Sequence, residues 1–217
     1  KRFCMQPAVK YADKVIVQSD NEKQQYIRYI SPNKVAALGS PKIDRVLYTE
    51  KHKPDIPDDW KDIIGKRKVI LYNTSITALL EYGNKMINKL KYVFTCFENR
   101  NDVVLLWRPH PLNEFTISSM RPDLLLNYRR LVDEFKTKKF GIFDDTADVE
   151  TAISLSDSYF GDVSSSLVYL YGVTGKPVML QDVSIDREPI EEELKTDWFG
   201  MAEFDGEYAW FSSGTHN

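Results

Sequence analysis

The residues best suited to chemistry sit in polar turns, each placed directly after a short apolar run. These turns are Asn73-Thr74-Ser75, Arg108-Pro109-His110-Pro111, Asp144-Asp145 and Gly161-Asp162-Val163-Ser164-Ser165-Ser166. The last is the most informative, because it carries a run of hydroxyls into an apolar stretch beginning at Leu167. A helix starting there would aim unpaired backbone N–H groups and the positive end of its dipole at an anion. Arg108 would add charge-assisted hydrogen bonds, and His110 supplies a ring able to give or orient a proton. Hydroxyls, a guanidinium, an imidazole and carboxylates around one helix start suit a diphosphate attached to a ribose.

Each of these residues also has a plainer reading. Ser164, Ser165 and Ser166 could simply cap a helix, and His110 between two prolines could be a stiff turn residue. Arg108 could pair with a carboxylate, and Asp162 could accept backbone N–H groups to shape its turn. Asn73 and Thr74 belong to the kind of polar turn that follows many strands. Lys176 is read as a cap on the carbonyls of the preceding helix rather than a ligand contact. Function is favoured only if all the turns share one edge of the molecule.

That depends on the elements between them. Apolar runs at 69–72, 103–107, 140–143, 158–160 and 177–180 predict buried strands, and shorter ones at 14–17 and 35–38 precede them. Met86, Ile87, Leu90, Val93, Phe94 and Phe97 recur at helical spacing and predict a helix over 84–98. Further helices are expected at 21–30 with Asp20 as its cap, and at 124–135, 149–155 and 165–173, the last stopped near Gly175. The stretch 48–65, with Pro54, Pro57 and several aspartates, reads as a long loop. Strands alternating with amphipathic helices predict an α/β fold, a Rossmann-like parallel sheet with helices on both faces. In such a sheet every strand ends on the same edge, where open α/β sheets bind their ligands.

Composition narrows the function classes. A formal charge of -3 offers no basic face for nucleic acid, and the basic stretch 121–139 also carries Asp123, Asp133 and Glu134, as a solvated helix face does. The two cysteines, Cys4 and Cys96, have no disulfide or metal spacing, which points to a reducing, cytoplasmic setting. Cys96 is expected in the core, on the apolar side of its helix. No apolar run reaches the roughly 20 residues that span a bilayer. Neither a metal nor any other cofactor is expected. The chain opens without a Met and is read as a fragment of something longer.

Several of these motifs together resemble the CDP-glycerol glycerophosphotransferase family, the teichoic acid primases and polymerases of GT-B fold. Arg108-Pro109-His110-Pro111 is similar to that family's Arg-x-His-Pro turn. The run from Ser156-Asp157 through Gly161-Asp162-Val163-Ser164-Ser165 to Gly175-Lys176-Pro177-Val178 is similar to its Asp-Tyr-Ser-Ser turn and Lys-Pro strand. Ala12 to Ser19 and Gly39 to Asp44 look like its crossing between domains, and the likeness runs over residues 8–182. Two departures stand out. After the first strand this chain has Asn73-Thr74-Ser75-Ile76 in place of a Pro-Thr and an arginine, and Gly161-Asp162-Val163 replaces a Thr-Asp-Tyr.

The resemblance implies the carboxyl-terminal, donor-binding half of a GT-B transferase. Residues 1–47 would be the tail of the acceptor domain and hinge, 48–185 the nucleotide domain, and 186–217 an extension toward a further domain. Asp205 to Phe211 in that extension reads as strand-like. The donor would be CDP-linked or another nucleotide diphosphate, and the acceptor a polymer or lipid-linked saccharide. The protein would lie in the cytoplasm, with peripheral contact to the inner face of the membrane through a part outside this chain. His110 and Arg108 would be catalytic, and Ser164, Ser165, Ser166, Asp162, Asn73 and Thr74 would bind substrate. The rival readings are a GT-B glycosyltransferase using a UDP- or GDP-sugar and a non-catalytic nucleotide-binding module.

Overall fold

The computed structural model describes residues 4–162 and 165–181. Its contacts divide the chain into two units, one ending at Tyr48 and the other beginning at Thr49. In the first unit, α1 (Pro7–Tyr11), β1 (Val15–Val17), α2 (Asp20–Tyr26), a 3-10 turn and β2 (Val35–Ala37) lead into α3 (Pro41–Lys51), which carries on past the division. The strands pair in parallel, Val15 opposite Val35. Ser19, not Asp20, caps α2: its hydroxyl accepts from the Glu22 N–H at 3.2 Å while Glu22 accepts from the Gln18 N–H at 2.8 Å.

The second unit continues with α4 (Asp58–Ile64), β3 (Lys68–Thr74), α5 (Ile76–Tyr82), α6 (Asn84–Glu98), β4 (Val103–Pro109), α7 (Asn113–Met120) and α8 (Pro122–Lys138). It ends with β5 (Gly141–Phe143), α9 (Val149–Leu155), β6 (Ser158–Asp162), α10 (Leu167–Gly172) and β7 (Val178–Gln181). Two stretches differ from the sequence expectation. The supposed loop at 48–65 holds the end of α3 and all of α4, whose first turn is acidic, as the helix dipole favours. The helix after the serine cluster is shorter than expected and starts at Leu167 rather than Ser165.

The strands form one parallel five-stranded sheet in the order β5-β4-β3-β6-β7. The chain starts at the centre, builds outward through β4 to β5, then returns to the other side of β3 with β6 and β7. Right-handed crossovers running in opposite directions put their helices on opposite faces. Helices α6 and α8 therefore cover one face, while α9 packs on β3 and α10 on β6 and β7 from the other. The register lines up Phe143, Trp107, Tyr72, Phe160 and Met179 as one row across the sheet on the α6 side. Trp107 lies 5.2 Å from the Phe143 ring, and Tyr72 stacks on Phe160 at 5.0 Å.

Coverage of this row is uneven. Trp107 and Tyr72 are fully buried under α6 and α8, whereas Met179 is 44% exposed. Beside Met179 an apolar groove of about 470 Å³ opens, lined by Tyr92, Cys96, Phe97, Phe160 and Val178 among others. Cys96, expected in the core, is exposed because no described helix covers α6's flank on that side. The strand-like stretch expected at Asp205 to Phe211 lies outside the described residues.

Candidate functional site

Parallel strands end together, so the carboxyl rim of the sheet gathers the polar turns. The direction of building reverses between β3 and β6, the kind of point at which open α/β sheets place their ligands. Hydrogen bonds stitch the turns on either side of this point. The Asp162 carboxylate at the end of β6 accepts from the Ser75 N–H just past β3. The Tyr159 hydroxyl meets Asn73 Oδ1 at 3.4 Å. Gly161 permits this approach, since a Cβ there would lie 2.5 Å from the Asn73 carbonyl oxygen.

The β4 turn is joined to β3 in the same way. Asn73 Nδ2 donates to the Arg108 carbonyl at 2.9 Å, Trp107 Nε1 donates to Thr74 Oγ1 at 3.2 Å, and the His110 N–H donates to the Thr74 carbonyl at 3.2 Å. Asn73 and Thr74 are buried, and the polar atoms of their side chains hold strand ends together. The Ser75 hydroxyl caps α5 by accepting from the Ala78 N–H at 3.3 Å.

Arg108 is turned inward. Its guanidinium pairs with Asp144, the residue just past β5, and donates to the Thr146 carbonyl at 2.7 Å, with both charged side chains buried. Asp144 in turn accepts from the Thr146 N–H at 3.0 Å and from its hydroxyl at 2.7 Å. The guanidinium therefore fixes the loop between β5 and α9 rather than turning toward the junction of β3 and β6. Thr146 escaped notice in the sequence, although its place two residues after Asp144 is the spacing of a side-chain-capped turn.

His110 faces outward and is exposed. Its Nδ1 accepts from the Leu112 N–H at 3.2 Å, so in the neutral ring the proton sits on Nε2, directed away from that bond. Ser165 is half-buried at the start of the helical turn: its N–H donates to the Asp162 carbonyl at 3.1 Å and its hydroxyl accepts from the Leu167 N–H at 3.2 Å. Ser166 is exposed, and its side chain makes no cap bond. Ser164 lies outside the described residues. The rim thus brings Asn73, Thr74, Arg108 and Asp162 together as an inward frame and leaves His110 and Ser166 exposed, with Ser165 half-buried at the turn into α10.

Lys176 stands away from this rim. Its ammonium binds Glu50 at 2.8 Å and the Ile153 carbonyl at 3.0 Å, so it caps α9 rather than the helix just before it, and burial lowers its pKa. The large apolar groove beside Met179 is likewise not part of the rim's polar chemistry. Among the described residues no group of three or more His, Cys, Asp or Glu side chains is placed to hold a metal. No described helix is long and apolar enough to cross a membrane.

No protein-family model matches the sequence, and none of the curated proteins does. Solved structures do match. The wall teichoic acid polymerase TagF aligns with a TM-score of 0.50 at 17% identity, over 77% of this chain and 38% of that one. A UDP-N-acetylglucosamine 2-epimerase aligns with a TM-score of 0.54 at 15% identity, over 91% of this chain and 50% of that one. S. aureus MnaA in its structure with UDP aligns with a TM-score of 0.51 at 18% identity, over 78% of this chain and 42% of that one. These neighbours are GT-B proteins, and the parallel α/β fold of this chain is shared with them. The chain spans half or less of the length of each.

Proposed function

We propose that this chain is the donor-binding part of a transferase that moves glycerol phosphate, or a related polyol phosphate, from a CDP-linked donor to an acceptor hydroxyl during synthesis of a cell-wall or surface polymer. The observation that carries this reading is the rim where β3 and β6 end side by side, joined by the Ser75–Asp162 bond, with His110 on the β4 turn and Ser165 just past β6. In the reaction the acceptor oxygen attacks the phosphorus that bears the polyol, and the bond between the two phosphates breaks. The negative charge that builds on the departing nucleotide phosphate must then be met by donors already in place. Ser165, Ser166 and Ser164 supply hydroxyls for the phosphates. His110 Nε2–H donates to the leaving phosphate oxygen. The base that takes the acceptor's proton comes from the acceptor half of the enzyme.

Arg108 becomes a positioning residue in this scheme: it holds the β5–α9 loop and thereby the β4 turn that carries His110. Asp162 does the same for the turn after β3. The test is calorimetric titration with CDP-glycerol and CDP. Replacing Ser164 and Ser165 by alanine is expected to weaken binding at least about tenfold, roughly 1.4 kcal/mol. Unchanged affinity would remove the serine turn from the site.

The second reading, a GT-B glycosyltransferase with a UDP- or GDP-sugar, would use the same rim, and the neighbour solved with UDP gives it support. A thermal-shift panel separates the two. Stabilisation by CDP above UDP and GDP supports the first, and the reverse order supports the second.

A further inference from the structure

The apolar groove beside Met179 lies away from the rim, on the α6 face of the sheet. There Tyr92, Cys96 and Phe97 of α6 meet Phe160, Val178 and Met179 of β6 and β7. Its volume of about 470 Å³ is roughly three times that of a ~150 Å³ cavity that takes one benzene ring, so it suits two or three ring-sized groups. Among the described residues β7 pairs only with β6, which leaves its outer edge open. Apolar grooves and open edges of this kind are surfaces that something else covers.

The path of the chain names an occupant. Gln181, the last residue of β7, lines the groove, so residues 182–217 depart from its wall. A segment tethered at its own docking site has an effective concentration on the order of millimolar, and even a weak contact is then populated. This segment carries Trp198, Phe199, Trp210 and Phe211, rings of the size the groove takes.

Charge selects the same occupant. Residues 182–217 hold ten Asp and Glu against two Lys and Arg, so they carry a formal -8 and the rest of the chain +5, together the chain's -3. On α6 three lysines, Lys85, Lys89 and Lys91, outnumber the one acid, Glu98. Lys85, Lys89, Tyr92 and Cys96 follow at intervals of four, three and four, a single stripe along the helix, and the last three line the groove. A second copy offering the same groove would set lysine against lysine. We infer that residues 182–217 fold back onto this groove, their aromatic rings against Tyr92, Phe97 and Met179 and the acidic run Glu191-Glu192-Glu193 along the α6 lysines. The rings hold the contact, since exposed ion pairs contribute little alone, and the charges set its place. Such a contact opens without unfolding the sheet, so it is read at the groove rather than in global unfolding.

The experiment is zero-length carbodiimide cross-linking of the whole chain, dilute, in a mixture of nitrogen-15-labelled and unlabelled protein, with the linked peptides mapped by mass spectrometry. Carboxylates of residues 182–217 are expected on Lys89 about fivefold more often than on the exposed Lys139 after α8, and always within one chain. Replacing Trp198, Phe199, Trp210 and Phe211 together by alanine keeps every charge and should cut the Lys89 yield about tenfold. Tyr92→Ala should cut it about threefold, the scale of one ring–ring contact. Equal linking to Lys89 and Lys139, or an unchanged yield in either folded variant, means charge attraction without a seat and overturns the inference. Links joining a labelled chain to an unlabelled one assign the groove to a second copy and overturn it too. So does the absence of links from residues 182–217, which leaves the groove to a different partner. Should the four-ring variant fail to fold, Tyr92→Ala decides alone, since that residue is 71% exposed among the described ones.

Discussion

The two flanks of the sheet are built from similar residues and have different fates. On the β4–β5 side, Trp107 is sealed under α6 and α8, and Arg108 is buried against Asp144. On the β6–β7 side, the same row of the sheet ends in a half-exposed Met179 beside an apolar groove. Residue type does not explain this, since Met179 is as apolar as the residues sealed on the other side. Direction does: right-handed crossovers leaving β3 one way put helices over the first flank, and those leaving the other way put α10 on the opposite face. Burial here is decided by the path of the chain.

The contrast can be broken most severely at Trp107. Trp107→Ala removes a fully buried ring and its bond to Thr74 and should cost about 5 kcal/mol, the top of the range for such truncations, in urea unfolding. A cost below that of a half-exposed residue would mean the covered flank is not the stable one. Next is Arg108→Ala, which strands the Asp144 carboxylate with both partners buried. It should cost about 3 kcal/mol, and Asp144→Ala about as much.

A third test concerns the seam between the flanks. Asp157 precedes β6 and accepts from the Val69 N–H and from Lys68, both at 2.8 Å. Partial burial raises its pKa, but these two bonds outweigh that and leave it below the ordinary 3.8. A lowered carboxylate pKa stabilises the fold above the unfolded value and loses that contribution as pH falls through the folded one. Stability should therefore drop below about pH 3.8 in wild type and drop less in Asp157→Asn, as followed by thermal melts. The smallest effect is expected at Met179→Ala. With 44% of the side chain already in water the change should stay under about 1 kcal/mol, and a loss near that of Trp107→Ala would show that something covers the groove.

The pattern of strands was legible because parallel strands buried on both faces read as apolar runs, and 69–72 and 103–107 fall inside β3 and β4. The α4 helix was hidden by Pro54, Pro57 and its aspartates, although Asp58-Asp59 ahead of Trp60 and Ile63 is how an acidic first turn begins. The candidate site was legible as a rim and illegible as a set of directions. Nothing in the local sequence tells whether Arg108 points out or across. That follows from register: Trp107 pairs with Phe143, so the next residues, Arg108 and Asp144, must meet. Cys96 was misread for a related reason, because helical spacing identifies the apolar side of α6 but not where its cover stops.

Cys96 has a practical consequence. The sequence holds only one other cysteine, Cys4, which is buried. The chain therefore carries its own attachment point for a thiol-reactive dye, on the wall of the apolar groove, with no engineering required. A dye at that position would change colour or lifetime as the groove is wetted or covered. The flank that no described helix covers can thus be watched directly in solution while nucleotides are added at the rim.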